Sequence, residues 1–95
     1  MKSFVCSLCH NGILGGMLYI DSHSLIYKTK KLTVDKKYRH LVLPMQDILG
    51  ISWKWLVFPI LTVNMKNNEQ YQFIIFNKSR FEKCLKEDLL WNLNV

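Results

Sequence analysis

Apolar side chains recur at every second position through most of this 95-residue chain, then change to a helical spacing near its end. Period two sends one set of side chains to a buried face and their neighbours toward water, which is the rhythm of a β-strand. The pattern is clearest from Leu14 to Lys30, LGGMLYIDSHSLIYKTK, where Leu18 and Ile20, then Leu25 and Tyr27, alternate with more polar neighbours. Asp21-Ser22-His23-Ser24 between them is turn chemistry, because these short side chains bond nearby backbone. Gly15 and Gly16 have no Cβ and suit a bend or a close backbone approach. The stretch predicts a hairpin around which the other strands add.

Residues 4–10 alternate in the same way and predict a first strand, with Asn11-Gly12 as a hairpin dipeptide. Further strands are expected near 14–20 and 25–31, followed by a turn at Asp35-Lys36-Lys37 and a strand from His40 to Leu43. Pro44 stops that strand because it has no N–H for a ladder. A fifth strand, bending at Gly50, takes in Ile48, Ile51, Trp53, Trp55 and Val57. Pro59 separates it from a sixth at Ile60 to Met65. Lys66-Asn67-Asn68-Glu69 reads as a tight turn, with asparagine tolerating the left-handed region. Tyr71, Phe73 and Ile75 mark a seventh strand. Phe81, Cys84, Leu85 and Leu89 then fall on one face of an amphipathic helix. Ser79 with Glu82 fits a capping box at its start, and Trp91 lies at or beyond its end.

One domain over residues 1–95 follows from the length, and about half the residues are apolar, enough for a core without a disulfide or metal. The opening MKSFVCSLCHNGILGG has too many polar breaks for a signal peptide. Trp55 to Met65 contains Pro59 and is about half the roughly 20 residues of a spanning helix. A cytoplasmic location, at most peripheral to a membrane, is the expectation. Three cysteines, Cys6, Cys9 and Cys84, suit small buried side chains in a reducing compartment.

Seven strands followed by one helix predict a mainly β fold, an antiparallel barrel or sandwich capped by a C-terminal α-helix. Gly16-Met17-Leu18-Tyr19-Ile20, Leu25-Ile26-Tyr27-Lys28, Leu43-Pro44-Met45-Gln46-Asp47-Ile48 and Tyr71-Gln72-Phe73 before a capped helix resemble a GRAM domain. That family belongs to the pleckstrin-homology-like superfold, and the resemblance spans about residues 12–90. It implies a binding module, since some members of these families bind anionic membranes. Members that recognise phosphoinositides generally carry basic residues around the first hairpin loop. Asn11-Gly12-Ile13-Leu14 has none, so the resemblance does not carry a headgroup site to that loop.

Cys6-Ser7-Leu8-Cys9-His10 matches the haem attachment pattern C-x-x-C-H, but a short pattern matches by chance and a strand here would hold the two thiols on opposite faces. No second cysteine pair or closely spaced histidine pair completes a zinc site, so no metal or other cofactor is assigned. The sequon Asn77-Lys78-Ser79 has meaning only in a secreted chain. No phosphate-cradling loop, no G-x-S-x-G elbow and no paired acids are present, and an enzyme is not expected.

The net charge is +6, and six of the 13 basic residues lie between Lys28 and Arg39. Lys28, Lys30, Lys31, Lys36, Lys37 and Arg39 are therefore the candidates for contact with an anion or a membrane. A lysine-protected sheet edge is the plainer explanation of such a run. At about 1 kcal/mol per cation, charge alone binds a membrane weakly, so a second, apolar signal is needed. Trp53, Trp55 and Phe58 are the apolar contact candidates, although the run from Trp53 to Ile60 also reads as core filling. The expected role is engagement of a protein partner or an anionic membrane surface, the protein being preferred. Single-stranded nucleic acid on a basic barrel and a homo-oligomeric role (a homodimer, for example) are the alternatives.

Overall fold

The computed structural model describes residues 2–10, 12–30 and 36–88, with the side chains of residues 87 and 88 left aside. Seven strands form one antiparallel sheet: β1 Lys2–Cys9, β2 Ile13–Ile20, β3 Ser24–Lys28, β4 His40–Pro44, β5 Ile48–Trp55, β6 Pro59–Met65 and β7 Gln70–Ile75. Their spatial order is β4-β3-β2-β1-β7-β6-β5. Two meanders, β1 to β4 and β5 to β7, are thus joined where β1 pairs with β7, Cys6 opposite Ile75 and Leu8 opposite Phe73.

The alternation sets the faces. Phe4, Cys6 and Leu8 of β1, Leu18 and Ile20 of β2, Leu25 and Tyr27 of β3, and Leu61 and Val63 of β6 all enter the core. The turns use the residues expected of them. Asp21 Oδ1 accepts from Ser22 N at 2.7 Å, and Asp21 N donates to Ser24 O at 3.0 Å. Asn68 takes φ 71°, the left-handed value that closes β6 onto β7. The β5–β6 register shifts between Ile48 and Gly50, which is the bend expected at Gly50.

Helix α2, Lys78–Asp88, packs Phe81, Cys84 and Leu85 into the core. The Phe81 ring meets Phe4 edge-on at 5.1 Å and Trp53 at 6.0 Å, so the helix ties β1 to β5. Leu89 and Trp91 lie outside the described residues.

The structure corrects three expectations. The sheet is open and not a closed barrel: β4 and β5 are its two edges. After Pro44, which supplies no ladder N–H, a 3-10 turn at Met45–Asp47 carries the chain away from β4 before β5 begins. The turn expected at Asp35-Lys36-Lys37 is a helical turn, α1, Lys36–Arg39; Asp35 lies outside the described residues. No glycine or proline interrupts those four residues, and Tyr38 anchors them by stacking on His10 at 4.2 Å. The α2 cap is Asn77 and not Ser79: its Oδ1 accepts from Arg80 N at 3.3 Å, and its carbonyl accepts the first helical bond from Phe81 N. Among the described residues no helix is long and apolar enough to cross a membrane.

Candidate functional site

β2 lacks side chains at two successive positions, Gly15 and Gly16, beside the end of β3. A Cβ on Gly16 would stand 2.5 Å from the Lys28 carbonyl oxygen and 2.8 Å from the Tyr27 ring. The strands therefore meet backbone to ring, and Tyr27 Oη donates to Leu14 O at 2.6 Å just behind the contact. Beyond Lys28 the ladder goes on, with Thr29 N donating to Arg39 O at 3.0 Å and Thr29 Oγ1 donating to Gly15 O at 3.0 Å. On the other side of the sheet lies an open groove of about 710 Å³, lined on β2 by Gly15, Gly16, Met17 and Tyr19. Lys28, Lys30, Arg39 and His40 rim it, and among the described residues no acidic one lines it. The Lys28 ammonium sits 5.5 Å from the Tyr19 ring centroid, where the ring face attracts it.

The predicted basic run does not stay together. Lys28, Lys30 and Arg39 share the groove, whereas Lys36 is exposed on α1 away from its lining. Lys37 faces the β6–β7 turn, its Nζ 3.6 Å from Glu69 and 5.4 Å from the Tyr38 ring centroid. Hydrogen bonds from Asn67 and Tyr71, aided by Lys37, hold the Glu69 carboxyl below its usual range. Lys31 lies outside the described residues.

The aromatic run also divides. Trp53 turns inward to Phe81 and is half-buried, with the Lys78 ammonium 5.1 Å from its ring centroid. Trp55 does not: pairing of β5 with β6 stops at Trp55 and Pro59, leaving residues 56–58 as a projecting tip. Trp55 is 71% exposed, Val57 81% and Phe58 47%, with Leu56 exposed between them. Of the three aromatic candidates the core-filling expectation therefore holds for Trp53 alone, while Pro59, at the start of β6, is buried again. Phe58 contacts Phe76 edge-on at 5.4 Å, and Phe76 is itself 50% exposed.

The groove shares its face with Phe58 at the tip, whereas Trp55, two residues after Trp53 and opposite Pro59, starts from the other face. Register pairs His40 with Lys28, Lys28 with Met17, and Met17 with Val5, a row facing away from the core. Ile75 pairs with Cys6, so Phe76, the next residue, comes level with Val5 and extends the row to the tip. From β3 to β7 is three strand spacings, about 14 Å before twist is counted. Lys54, opposite Ile60, adds a cation beside the tip on this face. The sequence reading did not single out His40, Tyr19, Phe76 or Lys54. Phe76 and Lys54 could have been found by extending the period-two pattern by one residue, but the groove depends on cross-strand register.

All three cysteines carry free thiols. Burial, then the neighbouring Cys9, pushes the Cys6 thiol up to about 12, so it is a poor nucleophile and a poor metal ligand at neutral pH. Among the described residues no group of three His, Cys, Asp or Glu is placed to hold a metal ion.

No protein-family model matches the chain, and no curated protein matches it. Among solved structures it is similar to the C-terminal domain of an unknown protein from Leishmania infantum, with a TM-score of 0.77 at 16% identity. The match covers 96% of this chain and 84% of that one. At this identity the likeness speaks for the fold alone.

Proposed function

We propose that this chain is a non-enzymatic binding module of the pleckstrin-homology-like or GRAM type that engages an anionic membrane surface through the outer face of its sheet. One observation carries the reading: the basic strand ends share a face with Phe58, Phe76 and Lys54, at the end of which the exposed tip projects. Seven antiparallel strands with a helix over the inner side support the family resemblance, and the separate groove and tip supply the two signals that membrane binding needs.

Magnitudes favour a combined contact. The exposed lysines on this face, Lys28, Lys30 and Lys54, contribute about 3 kcal/mol at an anionic surface, which alone is weaker than millimolar. Partial burial of Trp55, Leu56 and Phe58 adds about 1.5 kcal/mol each, bringing the total to the low micromolar range. A convex apolar tip flanked by cations also suits a bilayer interface, which needs no complementary pocket. Single-stranded nucleic acid has less support. Stacking several bases takes several open rings, and the groove offers Tyr19 with Lys28 already over it.

Flotation with phosphatidylcholine vesicles, with and without phosphatidylserine, tests the reading. Binding is expected only with the anionic lipid, and it should be lost in both Trp55→Ser/Phe58→Ser and Lys28→Glu/Lys30→Glu, whose thermal unfolding should match the parent. Absence of flotation, or flotation indifferent to lipid charge, overturns it. If vesicles fail while a protein is captured through Trp55 and Phe58, the face is a protein-docking surface instead.

A further inference from the structure

We infer that β5, one edge of the sheet, pairs with the β5 of a second copy of this chain, joining two sheets across a two-fold axis at Trp53. The backbone of β5 uses only half of its groups within the chain. Pro59 has no N–H to give Trp55, and Leu56 N donates to Phe58 O at 3.3 Å where the hairpin closes. Ladder bonds therefore fall on the alternate pairs Lys54–Ile60, Ser52–Thr62 and Gly50–Asn64. The next hairpin agrees, since Met65 N donates to Glu69 O, which turns Met65, Val63 and Leu61 toward β7 and leaves the residues between them for β5. Ile51, Trp53 and Trp55 thus aim their N–H and C=O groups away from β6, and among the described residues no strand lies on that side.

The two edges of the sheet differ. On β4, the bonds from Thr29 N to Arg39 O and from Met45 N to His23 O place Leu41 and Leu43 toward β3, so the outward positions are His40, Val42 and Pro44. Pro44 removes one of those donors and ends a five-residue strand, which blunts that edge. β5 is eight residues long, has no proline and carries one charge, Lys54. It is the edge on which a second strand can be laid.

The occupant follows from what this strand can face without conflict. Two copies meeting around a two-fold axis run antiparallel here, and the residue at the axis sets the register. With Trp53 at the axis, Trp55 faces the partner's Ile51, giving three bonded pairs with two hydrogen bonds each. Lys54 then faces the partner's Ser52, and no like charges oppose. An axis at Lys54 would set two ammonium groups face to face. An axis at Ser52 would carry Trp55 to Leu49, inside the irregular stretch between Ile48 and Gly50. Trp55 with Ile51 is an aromatic and β-branched pair of the kind that stabilises neighbouring strands, and it covers a ring that is 71% exposed in the single chain. Leu56, Val57 and Phe58 lie beyond the bonded stretch, so the two tips project from opposite ends of the joined sheet.

Sedimentation of the full chain without lipid, from about 10 µM to about 1 mM, tests the inference, because a contact of one strand pair is small and its equilibrium weak. The average mass should rise from 11.3 kDa toward twice that value. Ile51→Pro removes an outward N–H from each copy and no bond to β6, so it should weaken dimerisation by about tenfold or more. Hydrogen exchange of the parent gives a reading that needs no variant to fold. The amides of Ile51, Trp53 and Trp55 should slow as concentration rises, and that of Val42 on the other edge should not. Mixing Ser52→Cys with Lys54→Cys under mild oxidation reads the register, since the mixture should cross-link far more than either variant alone. A constant 11.3 kDa, exchange that ignores concentration or slows at Val42 instead, or equal cross-linking in all three samples overturns the pairing. Lys28→Glu/Lys30→Glu distinguishes the two proposals, since it should abolish flotation and leave the dimer unchanged.

Discussion

Gly16 shows how much a single missing methyl can decide. Its absent Cβ lets β2 lie against the Tyr27 ring and the Lys28 carbonyl, which sets the β2–β3 packing on the core side. Gly16→Ala should therefore destabilise the protein by about 1–3 kcal/mol, an overpacking cost, read as a lower urea midpoint. An unchanged midpoint would show that the strands have room to spare. The sequence signalled a bend or a close approach at this pair of glycines. It did not signal that the neighbours would be Tyr27 and Lys28, which only the register of β2 against β3 decides. Trp53 and Trp55 make the same point. They share a face of one strand, yet one touches Phe81 and the other is exposed.

At the level of elements, strand existence was legible because hydrophobic period is a local property. The ends were less so. The capping-box spacing of Ser79 and Glu82 points to one start for α2, and Asn77 takes the role instead, since the turn after β7 delivers its side chain to the Arg80 amide. Glu82 is engaged elsewhere, 3.2 Å from Lys78 Nζ. Asn77→Ala should cost about 1 kcal/mol, the usual value of a lost N-cap, whereas Ser79→Ala should change stability by no more than about 0.5 kcal/mol. Chemical denaturation of the two variants checks this, and equal losses would contradict the assignment. α1 escaped the sequence reading for a related reason. Two lysines after an aspartate look like a turn, and the contact that stabilises a helical turn there, Tyr38 on His10, joins residues far apart in the chain.

Across the whole molecule, buried phenols link stability to alkaline pH. Burial, with help from the Glu69 carboxylate, pushes the Tyr71 phenol up from 10.0 to about 12, and burial also raises Tyr27. A raised value means that the folded state holds the proton more tightly than the unfolded state. This contribution to stability is complete below pH 10.0 and is lost as pH rises through about 12. Urea midpoints between neutral pH and pH 12 should fall more steeply for the parent than for Tyr71→Phe, and parallel curves would remove Tyr71 from the account. Taken alone, the sequence determined the strands, the single C-terminal helix and the apolar face of each, because side-chain alternation depends only on neighbours along the chain. Tertiary structure decided that the sheet stays open, that Lys37 leaves the basic cluster for Glu69, and that Phe76 comes level with Val5. Those outcomes depend on register and strand order, where residues distant in sequence meet at distances that no local pattern encodes.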